Sequence, residues 1–148
     1  MTELAYNKRA HFDYAILEHF EAGLVLTGAE VKSVKTGHVS LKGAFVTRRG
    51  TELFLTNANI PFYQFAGDPK NYDPTGPRKL LLKRSEIKKL IGKMAVEGLT
   101  LIPLRVYTKK RLIKLEFALA KGKKAFDKRQ DIARREAKRS IDRALKSH

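Results

Sequence analysis

"LTLIPLRVYTKKRLIKLEFALA", Leu99 to Ala120, is the stretch from which the fold can be read. Ile113, Leu115, Phe117 and Leu119 alternate with other residues without a slip, and period-two alternation places successive side chains on opposite faces of a strand. Lys109-Lys110-Arg111 separates this segment from "LTLIPLRVY", whose apolar and aromatic content reads as a second strand.

Upstream, "SEIKKLIGKMAVEG" carries Ile87, Leu90, Ile91 and Met94 at helical spacing, with Ser85 placed to cap and Gly98 to end the turn. "GDPKNYDPTGP", Gly67 to Pro77, holds three of the five prolines and reads as a loop. "AFVTRRGTELFLTN" reads as a hairpin around Arg49-Gly50, and "YAILEHFEAGLVL" from Tyr14 as an extended segment. In "LTGAEVKSVKTG", Thr27 and Glu30 have capping-box spacing and Gly37 is a stop, which predicts a short helix. Many short strands, two or three short helices and no βαβ alternation predict a mainly β fold, a small closed or nearly closed barrel. Barrels of the oligonucleotide-binding type bind nucleic acid through strand faces and loops, although fold alone names no function.

One composition break, near Lys121, divides residues 1–120 from a tail, 121–148. The tail has 11 Lys/Arg against 4 Asp/Glu and so carries +7 of the formal +16, leaving the body at +9. It is rich in helix formers, and Phe126, Ala133, Ala137, Ile141, Ala144 and Leu145 fall on one stripe with basic residues opposite. Half of that stripe is alanine, so docking it buries little apolar area against an ordering cost of about 1–2 kcal/mol per residue. The expectation is a tail disordered when free and helical on a polyanion.

A molecule this basic concentrates anionic partners, nucleic acid first among them. No apolar run approaches the ~20 residues of a spanning helix. "MTELAYNKRA" lacks the layout of a signal peptide, so a cytoplasmic protein without membrane partners is expected, acting as a monomer. Zero cysteines exclude disulfides, thiolate catalysis and Cys-based zinc sites. His11, His19, His38 and His148 show no ligand spacing, and the "GKK" after Lys121 lacks the phosphate-loop frame, so neither metal nor cofactor is expected. Glu18 and Glu21 have no partner to set them apart as an acid/base pair. What remains is basic clusters, with Tyr6, His11, Tyr14 and His38 among them as candidates to stack on unpaired bases.

"YNKRAHFDYAILEHFEAGLVLTGAEVKSVKTG", "PRKLLLKRSEI", "LIPLRVY" and "AKGKKAFDKR" together resemble the small protein B family, the bacterial tmRNA-binding or SsrA-binding proteins. The resemblance runs in order over essentially the whole chain. It implies an oligonucleotide-binding-type barrel that holds the tRNA-like domain of tmRNA and delivers it to ribosomes stalled without a stop codon, with no catalysis of its own. By the same resemblance, Asn7, Lys8, Tyr14, Glu21, Arg78, Lys79, Leu81 and Lys114 correspond to the RNA-binding surface. Lys121, Lys123, Lys124, Asp127, Lys128, Arg129 and Ile141 correspond to a tail that enters the decoding site and the empty mRNA channel. Two other readings compete: a general nucleic-acid-binding or architectural protein, and an RNA-processing enzyme built on His11 with Asp13.

Overall fold

The computed structural model describes residues 1–67 and 70–146, apart from the side chains of residues 125–127 and 146. In chain order the elements are β1 (Thr2–Tyr6), α1 (Ala10–Asp13), β2 (Tyr14–Leu24), α2 (Gly28–Lys35), β3 (Phe45–Arg49), β4 (Glu52–Thr56), β5 (Arg78–Leu81), α3 (Arg84–Met94), β6 (Leu99–Lys109), β7 (Leu112–Gly122) and α4 (Ala125–Lys146). The strands form one seven-stranded antiparallel sheet in the order β1-β6-β7-β2-β5-β4-β3.

The predicted pair of strands lies inside the sheet, second and third in that order. β6 and β7 pair from Leu99↔Lys121 to Lys109↔Leu112, and Lys110 and Arg111 turn the chain at φ of 50° and 68°. Two consecutive left-handed residues make the turn whose twist matches a hairpin, a conformation more often given to Asn-Gly. β6 contains a proline where an inner strand needs an amide. Pro103 is tolerated because β1 ends at Tyr6, opposite Arg105, so no strand asks for its missing N–H. A bulge follows between Pro103 and Arg105, and Asn7 occupies the gap: its Nδ2 donates to Pro103 O at 2.8 Å and its amide to Leu104 O at 2.8 Å.

The main core lies on one face of the sheet. Leu53, Leu55, Leu80, Leu101, Leu115 and Phe117 are fully buried there, Phe20 stacks on Phe117 at 5.5 Å, and α2 and α3 close it with Val34, Ile87 and Leu90. Ala10 of α1 covers a second, smaller cluster of Ile102, Leu104, Ala118 and Ala120 on the opposite face.

Of the expected closed or nearly closed barrel, the closed form is absent: the strands make no complete hydrogen-bonded ring. β1 and β3 are the two edges of the sheet and do not pair with each other; β3 approaches β6, so the sheet curls over its core without closing. Ser85 is not the cap of its helix either. Lys83 stands at that position with no side-chain cap bond, and the first turn begins at Arg84, a register that brings Ile87 and Leu90 into the core. The sequence reading also lacked β1 and the four-residue α1.

The Thr27 capping box is present, and it is half of a larger device. Glu30 Oε1 accepts from Thr27 N at 3.0 Å, while Glu30 N donates to Thr27 Oγ1 at 3.2 Å. The other carboxylate oxygen, Oε2, takes Arg78 Nε at 2.9 Å and Nη2 at 2.8 Å. Arg78 spends its remaining donors on Ala58 O at 2.6 Å and Pro74 O at 2.9 Å, and the Tyr72 hydroxyl donates to Ile60 O at 2.7 Å beside them. With side chains only 3% and 9% exposed, this pair ties α2, β5 and the 70–77 loop to one point.

Removing one partner of such a pair leaves the other charge buried and alone. Arg78→Ala is therefore expected to destabilise the fold by about 3–5 kcal/mol in urea unfolding. Arg78→Lys should recover little, because an ammonium cannot reproduce the forked contacts.

Candidate nucleic-acid interface

Alternation along β7 sends Leu115, Phe117 and Leu119 into the main core, so Lys114, Glu116, Ala118 and Ala120 occupy the other face. α1 covers the alanine end of that face. The other end is open and polar, and register assembles it from residues far apart in sequence. Gly23 of β2 stands opposite Leu81 of β5 on one side and Lys114 of β7 on the other. Glu21 lies two positions earlier on the same face, so Glu21, Leu81 and Lys114 line one groove of about 380 Å³. A Cβ at residue 23 would stand 3.3 Å from the Leu81 side chain, so glycine there lets Leu81 lie close to the sheet. Leu81 remains 54% exposed, and Lys79, on its side of β5, has its ammonium 3.6 Å from Glu52.

Glu21 is held in place. Its Oε2 accepts a hydrogen bond from the Tyr107 hydroxyl, and Lys109 Nζ is 3.6 Å from Oε1. The Tyr107 hydrogen bond keeps the Glu21 carboxyl below the usual carboxylate range against the opposing effect of burial, with Lys109 and Lys114 assisting. Burial first, and then Glu21, push the Tyr107 hydroxyl upward, so it stays protonated as the donor. Beside them Arg105 Nη2 reaches Glu116 at 3.2 Å and its guanidinium covers the Tyr107 ring at 4.8 Å. The result is a fixed acceptor among cations, a combination that selects a ligand's donor groups as well as its charge.

The other expected contact residues lie elsewhere. Asn7 caps the β6 bulge, Lys8 is exposed on the segment after it, and Tyr14 starts β2 and packs on the second cluster. Arg78 is not on the surface at all. Its side chain faces Glu30 and main-chain carbonyls, so it positions Lys79 and Leu81 rather than meeting a ligand itself.

The tail begins at a seat on α1. Lys123 N donates to Asp13 O at 2.9 Å, and Lys123 Nζ donates to His11 O at 2.8 Å and to Asp131. Lys128 Nζ is 3.3 Å from Asp13 Oδ1, and Arg9, Lys128 and Arg135 lie 4.8, 5.9 and 5.5 Å from the centre of the Phe12 ring. Burial opposes ionisation of Asp13, but Arg9 and Lys128 outweigh it and hold the carboxyl below its ordinary value. The Lys123 hydrogen bond does the same for Asp131. Lys121, Lys124 and Arg129 are exposed, and Ile141 is 60% exposed. The side chains of Phe126 and Asp127 fall outside the described residues. With its carboxylate occupied by Arg9 and Lys128, Asp13 is poorly placed to serve His11 in catalysis. Among the described residues no group of three or more His, Asp or Glu could hold a metal, and no helix is long and apolar enough to cross a membrane.

The profile of the SmpB protein matches residues 4–147. The chain belongs to the SmpB family. Similar relatives are the SsrA-binding proteins of Chloroflexus aurantiacus (strain ATCC 29366 / DSM 635 / J-10-fl), 52% identical over 97% of this chain and 89% of that one, and of Geobacillus kaustophilus, 50% identical over 97% and 92%. That of Nostoc punctiforme is 48% identical over 98% and 94%. Among solved structures, a chain from the work described as "tmRNA-SmpB: a journey to the center of the bacterial ribosome" is 45% identical, with a TM-score of 0.66 over 81% of this chain and 84% of that one.

Sequence reasoning missed Tyr107 and Arg105, which the structure places beside Glu21. The signal was present: residues opposite Lys114 and Glu116 on a regular hairpin share their face, and these are Tyr107 and Arg105.

A carboxyl whose folded pKa is depressed adds stability above its ordinary titration range and loses it as pH falls through the folded value. Tyr107→Phe is expected to raise the Glu21 midpoint toward the usual carboxylate range in a carboxyl-carbon NMR titration. The variant should then lose less stability than the parent between neutral and about pH 3.

Proposed function

We propose that the chain binds tmRNA, the SsrA RNA for which its relatives are named, and acts in trans-translation by bringing the tRNA-like domain to ribosomes stalled without a stop codon. The observation that carries this reading is 48–52% identity over nearly the full length to proteins named for SsrA binding. The groove on the open face supports it: Lys79 and Lys114 neutralise phosphates, Leu81 packs on a ribose or base, and Glu21 accepts from a base or a 2′-hydroxyl. Asn7, Lys8 and Tyr14 extend the contact along the β1–β2 side. We read the curled, unclosed sheet as an oligonucleotide-binding-type body, residues 1–120, and the protein as a binder without cofactor or catalysis, working in the cytoplasm where ribosomes are.

On this reading residues 121–148 form the ribosome-engaging part, disordered when free and helical in the decoding centre and vacant mRNA channel. RNA walls there supply the counter-charge that α4 lacks in solution. Lys121, Lys123, Lys124, Asp127, Lys128, Arg129 and Ile141 are the side chains assigned to it.

Capture of the protein from lysate and sequencing of the bound RNA tests the reading: one dominant tmRNA species is expected, and a broad mixture of RNA and DNA would instead make it a general nucleic-acid binder. Lys79→Ala and Lys114→Ala should each weaken tmRNA binding and lessen its salt slope by about one phosphate. Glu21→Gln should lower selectivity for tmRNA over other RNA with the slope nearly unchanged.

The tail has its own test. Ala137→Pro costs ~3 kcal/mol of helix and leaves the charge intact, so tmRNA binding should be normal and tagging of stalled chains severely reduced.

A further inference from the structure

A second cleft shares no residue with the groove at Glu21. It lies between the C-terminal half of α2 and the segment after Ile60, encloses about 450 Å³, and is walled by Phe62, Tyr63 and Phe65 with Thr36 and His38. Phe65 is 75% exposed, edge-on to Tyr63 at 5.5 Å. Phe62 is braced from behind, 5.6 Å edge-on from Tyr72, whose hydroxyl is fixed by Ile60 O and the Glu30–Arg78 pair. An exposed aromatic ring beside a braced aromatic wall suits a planar partner.

The polar end of the cleft has a defined sense. Thr36 Oγ1 lies 2.8 Å from Ser33 O and 3.1 Å from Lys32 O, and carbonyls can only accept, so its one proton is committed to them. At 3.0 Å from His38 Nδ1 the hydroxyl is therefore the acceptor, and the ring carries its proton on Nδ1. Nε2 of the neutral ring is left as an acceptor. Ser33 Oγ is already spent on Pro61 O at 2.8 Å. The charge around the cleft is positive: Lys32 Nζ is 5.7 Å from the centre of the Tyr63 ring, Lys35 follows on the same helix, and among the described residues no carboxylate lines the cleft.

We propose that this cleft receives an unpaired nucleobase of bound RNA, stacked on Phe65 with its edge toward Tyr63, its exocyclic amino group donating to His38 Nε2 and its phosphate meeting Lys32. An aliphatic side chain from a protein partner would fill the space but leave Nε2 without a donor. A nucleobase uses the ring faces, the acceptor and the cation together. The proposal rests on the chain being an RNA binder and adds a contact separate from the groove at Glu21.

The test uses the full chain and two unstructured pentaribonucleotides, one of adenosine and one of purine riboside, which lacks the 6-amino group. Adenosine pentamer is expected to shift the NMR signals of His38 and Phe65, and purine riboside to bind several-fold more weakly. Phe65→Ala, at an exposed position that leaves folding intact, should weaken the adenosine pentamer by about five- to a hundredfold. His38→Phe should keep stacking and abolish the difference between the two pentamers. Lys114→Ala should leave the cleft shifts unchanged while weakening tmRNA binding. Unmoved His38 and Phe65 signals, or parental affinity in Phe65→Ala, would overturn the proposal, and equal binding of the two pentamers by the parent would overturn the role of His38. Failure to select tmRNA from lysate would defeat the functional reading alone, since the pentamer titration does not depend on it.

Discussion

The Arg78–Glu30 ion pair is the constraint on which the rest of the molecule depends. A buried pair is not in itself a source of stability, because taking both charges out of water costs about as much as their attraction returns. Its value here is positional. One carboxylate caps α2 through one oxygen and holds Arg78 through the other, so the helix, the last strand before α3 and the intervening loop cannot move separately. Because Arg78 is locked inward, alternation turns Lys79 and Leu81 outward, and the register of β5 on β2 sets Leu81 beside Gly23. The same pair steadies Tyr72 and, through it, Phe62. The groove at Glu21 and the aromatic cleft are thus referenced to one interior point.

Attraction and recognition are carried by different groups. The excess of cations gives a field that any polyanion feels, and its reach is set by the Debye length, about 8 Å at physiological salt. Discrimination needs a group that repels what fits badly. Glu21, kept ionised by Tyr107 and flanked by Lys109 and Lys114, has the chemistry for it, since a carboxylate repels a phosphate and accepts from a hydroxyl or amino donor. A surface of lysines alone has no means of making that distinction.

Sequence patterning carried the fold far because the β6–β7 hairpin and the Thr27 capping box are local devices, legible from residues one to four positions apart. What it could not carry was long-range. Arg78 and Glu30 are 48 positions apart, and nothing in "PRKLLL" distinguishes an arginine that faces inward from a lysine that faces out. Whether the sheet closes was not legible for a related reason: whether β1 meets β3 depends on how far a bulged, curled sheet travels, and strand counts do not fix that. The groove was legible through family likeness at Glu21, Leu81 and Lys114; its supports, Tyr107 and Arg105, needed the register.

An unclosed sheet has two borders to defend. β1 and β3 each present unpaired main-chain groups to water, and an exposed border is a template onto which another copy of the chain can add. Both borders are only five residues long; β1 is broken by a register shift between Glu3 and Ala5, and β3 ends in Arg48 and Arg49. Copies that approach edge to edge also bring together two bodies of formal charge +16. The charge that attracts polyanions is therefore also a colloidal defence, and salt that screens this attraction lowers the barrier between copies at the same time.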